Sequence, residues 1–74
     1  MKGGDKVKRR LSIKEVRLLE GDTQAEAATK LRLHLNTYRT YEVRPGQMKI
    51  KTLLRFCEVY GVNVNDLDIF KGGY

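Results

Sequence analysis

Two capping-box sequences close to the start of the chain constrain its fold more than any other feature. Ser12 and Glu15 have the required spacing, and so do Thr23 and Glu26. In each pair the hydroxyl can accept from a backbone amide of the first helical turn while the glutamate reaches back to the capping residue. Two helices must therefore begin in quick succession, and the first has room for only about two turns.

Apolar periodicity predicts helices along most of the remaining chain. The second predicted helix has an unusually small face, formed by Ala25, Ala27 and Ala28, across which another helix can pack closely. Pro45 and Gly46 mark a turn. The sequence thus predicts an all-α fold with five short helices and a three-residue turn, 32–34, between the second and the third. The helices are expected at 13–20, 24–31, 34–42 (with His34 as the cap), 50–60 and 64–69 (capped by Asn63).

The chain is strongly basic for its size, with 15 lysines and arginines against 9 acidic residues, a net charge of +6 and a sequence pI near 9.7. This balance is typical of proteins that bind a polyanion, although net charge also serves simply to keep small domains soluble and monomeric. Residues 1–11 are predicted to form a flexible basic arm, residues 12–71 the folded domain and residues 72–74 a loose tail.

The residue types argue against several classes of protein. His34 is the single histidine, and the chain has neither a glycine-rich phosphate loop nor a serine with plausible histidine and aspartate partners. We therefore expect no catalysis, no metal and no cofactor. Cys57 lies within an apolar periodic segment and is expected to be a buried thiol. The chain has no apolar run of membrane-spanning length and no signal-peptide core, so we expect a cytoplasmic protein.

From Ile13 to Phe70 the sequence resembles the lambda-repressor-like helix-turn-helix domains, the group of phage repressors and xenobiotic-response-element regulators. The matching pieces are Thr23-Gln24-x-Glu26-x-Ala28-x-x-Leu31, Thr37-Tyr38-x-x-Tyr41-Glu42, Leu53-Leu54-x-Phe56-Cys57-x-x-Tyr60-Gly61-Val62 and Asp66-Leu67. The resemblance implies a five-helix bundle whose second and third helices form a helix-turn-helix. It also implies double-stranded DNA as the partner, with the third helix, 34–42, in the major groove.

The resemblance further implies roles for particular residues. Gln24 matches a glutamine that opens the second helix and contacts a DNA phosphate. Ala28 matches the small residue that allows the third helix to cross closely. Arg17 and Glu42 match a pair that forms an ion pair in many members, which would fix the first helix against the third.

The chain departs from the family pattern at three positions. Arg32 stands where glycine is usual, so its backbone must tolerate a positive φ. Tyr38 and Tyr41 stand where aliphatic residues are more common, and their hydroxyls need water, a polar partner or a phosphate.

The front of the third helix is the predicted reading surface. By the 100° step of an α-helix, four residues fall together on the side opposite the two tyrosines: Leu35, Asn36, Arg39 and Thr40. Leu35 is expected to be exposed and can contact the methyl group of thymine. Asn36 can form hydrogen bonds with the edge of adenine, and Arg39 can bind guanine or a phosphate. Thr40 can make either kind of contact less strongly. The predicted phosphate contacts are Gln24, His34, Tyr41, Arg44, Gln47, Lys49 and Lys51.

Together these features predict a sequence-specific transcriptional regulator, a repressor of phage or bacterial type that binds operator DNA at the nucleoid as a homodimer. No membrane and no small-molecule ligand are expected. The apolar candidates for the dimer surface, which could instead close the core, are Leu67, Ile69, Phe70 and Tyr74.

The alternative is a protein-interaction adaptor on the same fold, with Leu35 and the two tyrosines docking a partner. The basic residues around the third helix favour DNA: Arg32, Arg39, Arg44, Lys49 and Lys51. RNA binding is disfavoured because no aromatic stacking platform is evident.

Overall fold

The computed structural model describes residues 10–69, and the part of the chain between these ends contains four α-helices. They are α1 (Ile13–Leu19), α2 (Gln24–Leu31), α3 (Leu35–Val43) and α4 (Ile50–Tyr60). Two 3-10 turns, Pro45–Gln47 and Val64–Asp66, follow α3 and α4. Most of the predicted basic arm, and the tail residues Phe70 and Tyr74, lie outside the described residues.

Both predicted capping boxes are formed, which explains where α1 and α2 begin. The amide of Glu15 donates to Ser12 Oγ at 3.1 Å, and the Ser12 amide donates to Glu15 Oε1 at 2.8 Å. The corresponding distances for Thr23 and Glu26 are 3.0 and 2.7 Å. These bonds satisfy amides that have no partner inside the helix, so each helix start is determined by its local sequence.

The prediction of a fifth helix over 64–69 is wrong. Asn63 does cap the segment, because its side chain accepts from the Asn65 amide at 2.9 Å, but the helical turn ends at Asp66. Leu67 is extended and lies beside Leu11 in a parallel bridge, in which the Leu11 amide donates to the Asp66 carbonyl and the Asp68 amide to the Leu11 carbonyl, both at 2.9 Å. A six-residue helix gains few internal hydrogen bonds for its nucleation cost, so this long-range pairing prevails.

The core lies where all four helices meet. Its largest fully buried side chains are Ile13 of α1, Tyr38 of α3 and Phe56 of α4. On α2, Ala27 and Ala28 are 0% and 3% exposed, and α2 packs against both α3 and α4. Ala27 and Ala28 of the predicted small face therefore lie where these helices approach closely, whereas Ala25, the third predicted member, is exposed.

The turn between α2 and α3 contains the one non-glycine residue with a positive φ among residues 10–69. Arg32 has φ 59° and ψ 43°, the left-handed conformation expected where the family pattern has glycine. The Arg32 amide donates to the Thr29 carbonyl and the Leu33 amide to the Ala28 carbonyl, at 3.1 and 2.9 Å. This is a Schellman motif, which stops α2 and sends the chain into α3.

Replacing Arg32 with glycine is expected to stabilise the fold relative to replacing it with alanine. Both variants remove the same side chain and charge, but only glycine adopts this conformation without steric cost. We expect a gain of up to about 1 kcal/mol in the free energy of unfolding, after allowing for the greater freedom of glycine in the unfolded chain. Urea unfolding followed by circular dichroism measures it; equal stability of the two variants would contradict the left-handed turn.

Candidate nucleic-acid interface

A buried ion pair anchors the core-facing side of α3. Arg17 of α1 and Glu42 of α3 are 7% and 3% exposed, and Arg17 Nε donates to Glu42 Oε2 at 2.6 Å. A second bond joins Arg17 Nη2 to Glu42 Oε1 at 3.2 Å. The pair implied by the family resemblance is therefore present, and it ties α3 to α1.

Glu42 has two further partners that complete its hydrogen bonding. The hydroxyl of Tyr38 donates to Glu42 Oε2 at 2.5 Å, and Gln24 Nε2 donates to Oε1 at 3.0 Å. Burial alone would raise the pKa of the Glu42 carboxyl, but the bonds from Arg17, Tyr38 and Gln24 together hold it below its ordinary value. Conversely, burial and the neighbouring Glu42 carboxylate raise the pKa of Tyr38. The network therefore contains an ionised carboxylate and a neutral phenol.

The two tyrosines lie on the back of α3, as the helical spacing predicts. Tyr38 is fully buried, and Tyr41 is half-buried against the core. The polar partner that the Tyr38 hydroxyl requires is Glu42, four residues further along the same helix. The unusual aromatic residue at this position thus becomes part of the buried network.

The front of α3 presents two exposed polar side chains, Asn36 and Arg39. Thr40 is half-buried, and its hydroxyl donates to the Asn36 carbonyl at 3.1 Å. The expectation that Leu35 is exposed is wrong, because this residue is half-buried and packs against the core. The four predicted reading residues therefore differ in accessibility, with Asn36 and Arg39 the most available.

The start of α3 is capped by His34, as predicted. The His34 carbonyl accepts from the Tyr38 amide at 3.0 Å, which places His34 at the capping position. Its side chain makes no capping hydrogen bond within residues 10–69, so His34 caps α3 through its backbone carbonyl. His34 itself is exposed and directly precedes the first turn of α3.

Exposed polar and basic side chains follow α3 along the chain. The 3-10 turn Pro45–Gln47 packs against α3, with Pro45 buried and Gln47 exposed. This arrangement keeps the flanking residues close to the end of α3. The exposed members of this group are Arg44, Gln47, Lys49 and Lys51.

A second cluster, which the sequence did not suggest, braces the start of α2. Asp22 accepts from Lys30 Nζ at 2.6 Å and from the Tyr60 hydroxyl at 2.8 Å, and the Lys30 ammonium lies 5.4 Å from the Tyr60 ring centroid. The bonds from Lys30 and Tyr60 lower the pKa of the Asp22 carboxyl. The Asp22 carbonyl also accepts from Arg17 Nη1 at 2.9 Å. The cluster joins α4 to the α1–α2 connection.

Gln24 is a site residue whose geometry the sequence analysis missed. The prediction gave it a phosphate contact, but its side chain also lies between two residues of α3. Gln24 Nε2 donates to Glu42 Oε1 at 3.0 Å, and Arg39 Nε donates to Gln24 Oε1 at 3.3 Å. Its position in the first turn of α2 is predicted by the sequence, because it directly follows the capping residue Thr23. Its two side-chain partners on α3 are not, because they depend on how closely α2 and α3 approach.

Metal and membrane sites are not found in the described part of the chain. Residues 10–69 contain no group of three or more histidine, cysteine, aspartate or glutamate side chains arranged to hold a metal ion. None of the helices in this range has the length and apolar character needed to span a bilayer. Cys57 is half-buried, and burial raises the pKa of its thiol.

Comparison with known proteins agrees with this geometry. A family model described as helix-turn-helix matches residues 13–67, the span from the start of α1 to the bridge at Leu67. No curated protein and no solved structure gives a significant match.

Proposed function

The chain belongs to the lambda-repressor-like helix-turn-helix family of DNA-binding regulators, and we propose that it is a sequence-specific repressor that reads the major groove of double-stranded DNA with α3. In this proposal the protein is of phage or bacterial type. It acts at the nucleoid in the cytoplasm, and it needs no small-molecule ligand.

The observation that carries the proposal is the contrast between the two sides of α3. The back is anchored through Tyr38 and Glu42, whereas Asn36 and Arg39 are exposed on the front. Asparagine can form paired hydrogen bonds with adenine, and arginine can do so with guanine, in the major groove. Leu35 and Thr40, both half-buried, contribute smaller base contacts in this proposal.

Phosphate contacts supply the remaining affinity in this proposal. Gln24 lies at the first turn of α2, where backbone amides favour an anion. The net charge of +6 favours approach to DNA at low salt. The other residues proposed to contact the backbone are His34, Tyr41, Arg44, Gln47 and Lys49, whereas Lys51, on the exposed face of α4, is proposed to pair with a second copy of the chain.

The adaptor alternative has less support from the arrangement of side chains. It requires Leu35, Tyr38 and Tyr41 to dock a partner protein, but Tyr38 is fully buried and the other two are half-buried against the core. A docking surface at α3 would therefore have to consist of polar and basic side chains.

Selection from a randomised duplex library tests the proposed function. The wild-type chain should enrich a common motif, and an Asn36→Ala, Arg39→Ala variant should lose that enrichment while remaining helical by circular dichroism. Failure of the wild type to enrich any motif would contradict sequence-specific reading.

We further propose that the regulator binds DNA as a homodimer through α4. The surface suggested by the sequence is less available, because Leu67 is buried in the core and Ile69 packs against it. On α4, in contrast, Ile50 and Leu54 are 69% and 56% exposed and lie one turn apart on the same face.

The charges beside this apolar pair fit a second copy of the chain. Lys51 and Glu58 are exposed, and their seven-residue spacing places both next to Leu54. If α4 of each copy packs antiparallel about a two-fold axis, Lys51 of one copy lies opposite Glu58 of the other. The face is thus complementary to itself in both apolar character and charge.

Replacing Leu54 with glutamate should weaken binding to DNA that carries two half-sites by about tenfold or more, because the cooperative contact between copies is lost. Binding to a single half-site should fall only slightly, through the added negative charge, since Leu54 is remote in sequence from α3 and is 56% exposed. Fluorescence anisotropy with both duplexes measures the effect.

The matched control for this prediction is Val59→Glu, which places the same charge about 140° around α4 from Leu54. Val59 is 40% exposed. We expect this variant to weaken binding to both duplexes only slightly and equally, through its added negative charge. Equal losses for Leu54→Glu on half-site and full-site DNA would contradict the dimer surface.

A further inference from the structure

One half-buried side chain, Gln24, connects the buried ion pair to the exposed front of α3. Its Nε2 donates to Glu42 Oε1 at 3.0 Å, and its Oε1 accepts from Arg39 Nε at 3.3 Å. Glu42 is 3% exposed, whereas Arg39 is exposed on the surface. The amide group of Gln24 therefore spans the boundary between the core and the reading surface.

The charge of Glu42 determines which way this amide faces. An ionised carboxylate only accepts hydrogen bonds, and Glu42 accepts four: two from Arg17, one from Tyr38 and one from Gln24. Gln24 must therefore turn its NH2 group towards Glu42. Its carbonyl oxygen is then left facing outwards as an acceptor, and this is the atom that Arg39 Nε contacts.

The contact constrains how Arg39 can meet a base. The guanidinium group is planar, with its donors in a fixed fork, so holding Nε also restricts the plane of the group. The two terminal nitrogens, Nη1 and Nη2, remain available at the far end. A pair of parallel donors in this arrangement matches the N7 and O6 acceptors of guanine in the major groove.

We propose that Gln24 is a positioning residue that makes Arg39 select guanine at one base pair of the binding site. The proposal rests on the proposed function, because it requires that α3 reads DNA. It adds to the phosphate contact assigned to Gln24 a second role, which acts on base discrimination through Arg39.

The test is the base preference at each position of the selected DNA site, measured for the wild type and for Gln24→Met. Methionine keeps the length of the side chain but removes both hydrogen bonds. In the wild type, replacing one particular guanine should weaken binding by about tenfold or more. In Gln24→Met that penalty should fall severalfold, while preferences at all other positions stay as they were. Gln24→Ala should give the same change of profile.

Two comparisons separate positioning from a merely structural or phosphate-binding role. Gln47→Met makes the same chemical change at an exposed glutamine outside this network, and should leave the base preferences unchanged even if overall affinity falls. In an Arg39→Ala background, adding Gln24→Met should alter no base preference further, because the group that it positions is absent.

The outcomes distinguish the inference from the function on which it rests. If Gln24→Met weakens binding to every sequence equally and keeps the guanine penalty, Gln24 is only a phosphate contact and the inference is overturned. If the wild type itself has no base preference, the proposed function fails, and the inference fails with it. Gln24→Met can also be compared in the wild type and in the Arg39→Ala variant. If it lowers the guanine penalty equally in both, Gln24 acts independently of Arg39 and the inference is again overturned.

Discussion

Replacing Glu42 with alanine is expected to lower the free energy of unfolding by about 3–5 kcal/mol, the usual cost of removing one partner from a buried ion pair. The charge of Arg17, which is 7% exposed, would lose the carboxylate that compensates it. The hydroxyl of the fully buried Tyr38 would also lose its acceptor. Urea unfolding followed by circular dichroism measures the change.

The control for Glu42→Ala is an ion pair of similar length on the surface. Lys30 Nζ lies 2.6 Å from Asp22 Oδ2, but the Lys30 side chain is 44% exposed. Because water screens an exposed pair, Lys30→Ala should cost far less than Glu42→Ala. A further variant, Arg17→Met with Glu42→Leu, should recover part of the stability, since it removes both buried charges together, although the Tyr38 hydroxyl still lacks its acceptor. Similar losses for Glu42→Ala and Lys30→Ala would contradict the buried network.

The same network gives stability a pH dependence whose sign follows from the Glu42 pKa. Its hydrogen bonds lower this pKa from the ordinary value of 4.5. When folding lowers the pKa of a carboxyl, the ionised group stabilises the protein fully at pH values above its pKa in the unfolded chain. This contribution is lost as the pH falls towards and through its pKa in the folded protein. Stability should therefore decline below about pH 4.5, and less steeply in Glu42→Gln.

Replacing Arg39 with alanine is expected to weaken binding to the selected DNA site by about 1–3 kcal/mol, the discrimination supplied by one paired arginine–guanine contact. Arg39 is exposed, so its loss should leave the fold intact. On random DNA the loss should be much smaller, because a base-reading residue contributes little where the correct base is absent. Fluorescence anisotropy with the selected and the scrambled duplex measures both effects.

Arg55→Ala is the matched control for Arg39→Ala. It removes the same charge from α4, at a half-buried position outside the proposed reading surface. It should weaken binding to both duplexes slightly and equally, through the net charge alone. If Arg39→Ala behaves in the same way, Arg39 contacts a phosphate and does not read a base.

The α-helices are well predicted because their ends depend on neighbouring residues. Ser12 and Thr23 form their capping boxes with glutamates three positions later, and α4 ends at Gly61 in the left-handed conformation. The fifth predicted helix fails because the competing interaction is distant in sequence. Nothing in residues 64–69 themselves indicates that Leu67 will pair with Leu11.

The candidate site shows the same division between local and distant effects. The 100° step of a helix places Tyr38 and Tyr41 on the back of α3, and it also places Asn36 and Arg39 on the front. The half-burial of Leu35 depends on core packing that periodicity does not describe. Arg17 and Glu42 could be paired only through the family resemblance. The contact of Gln24 with Glu42 and Arg39 requires the actual spacing of α2 and α3.

Titration of the wild-type chain with the selected duplex and a scrambled duplex, at a low and a high salt concentration, tests the central claim most directly. If α3 reads the major groove, the selected duplex binds more tightly at both salt concentrations, and affinity for both duplexes falls steeply as salt rises. Equal affinity for the two duplexes, or no binding at low salt by a protein that is folded by circular dichroism, would contradict the claim.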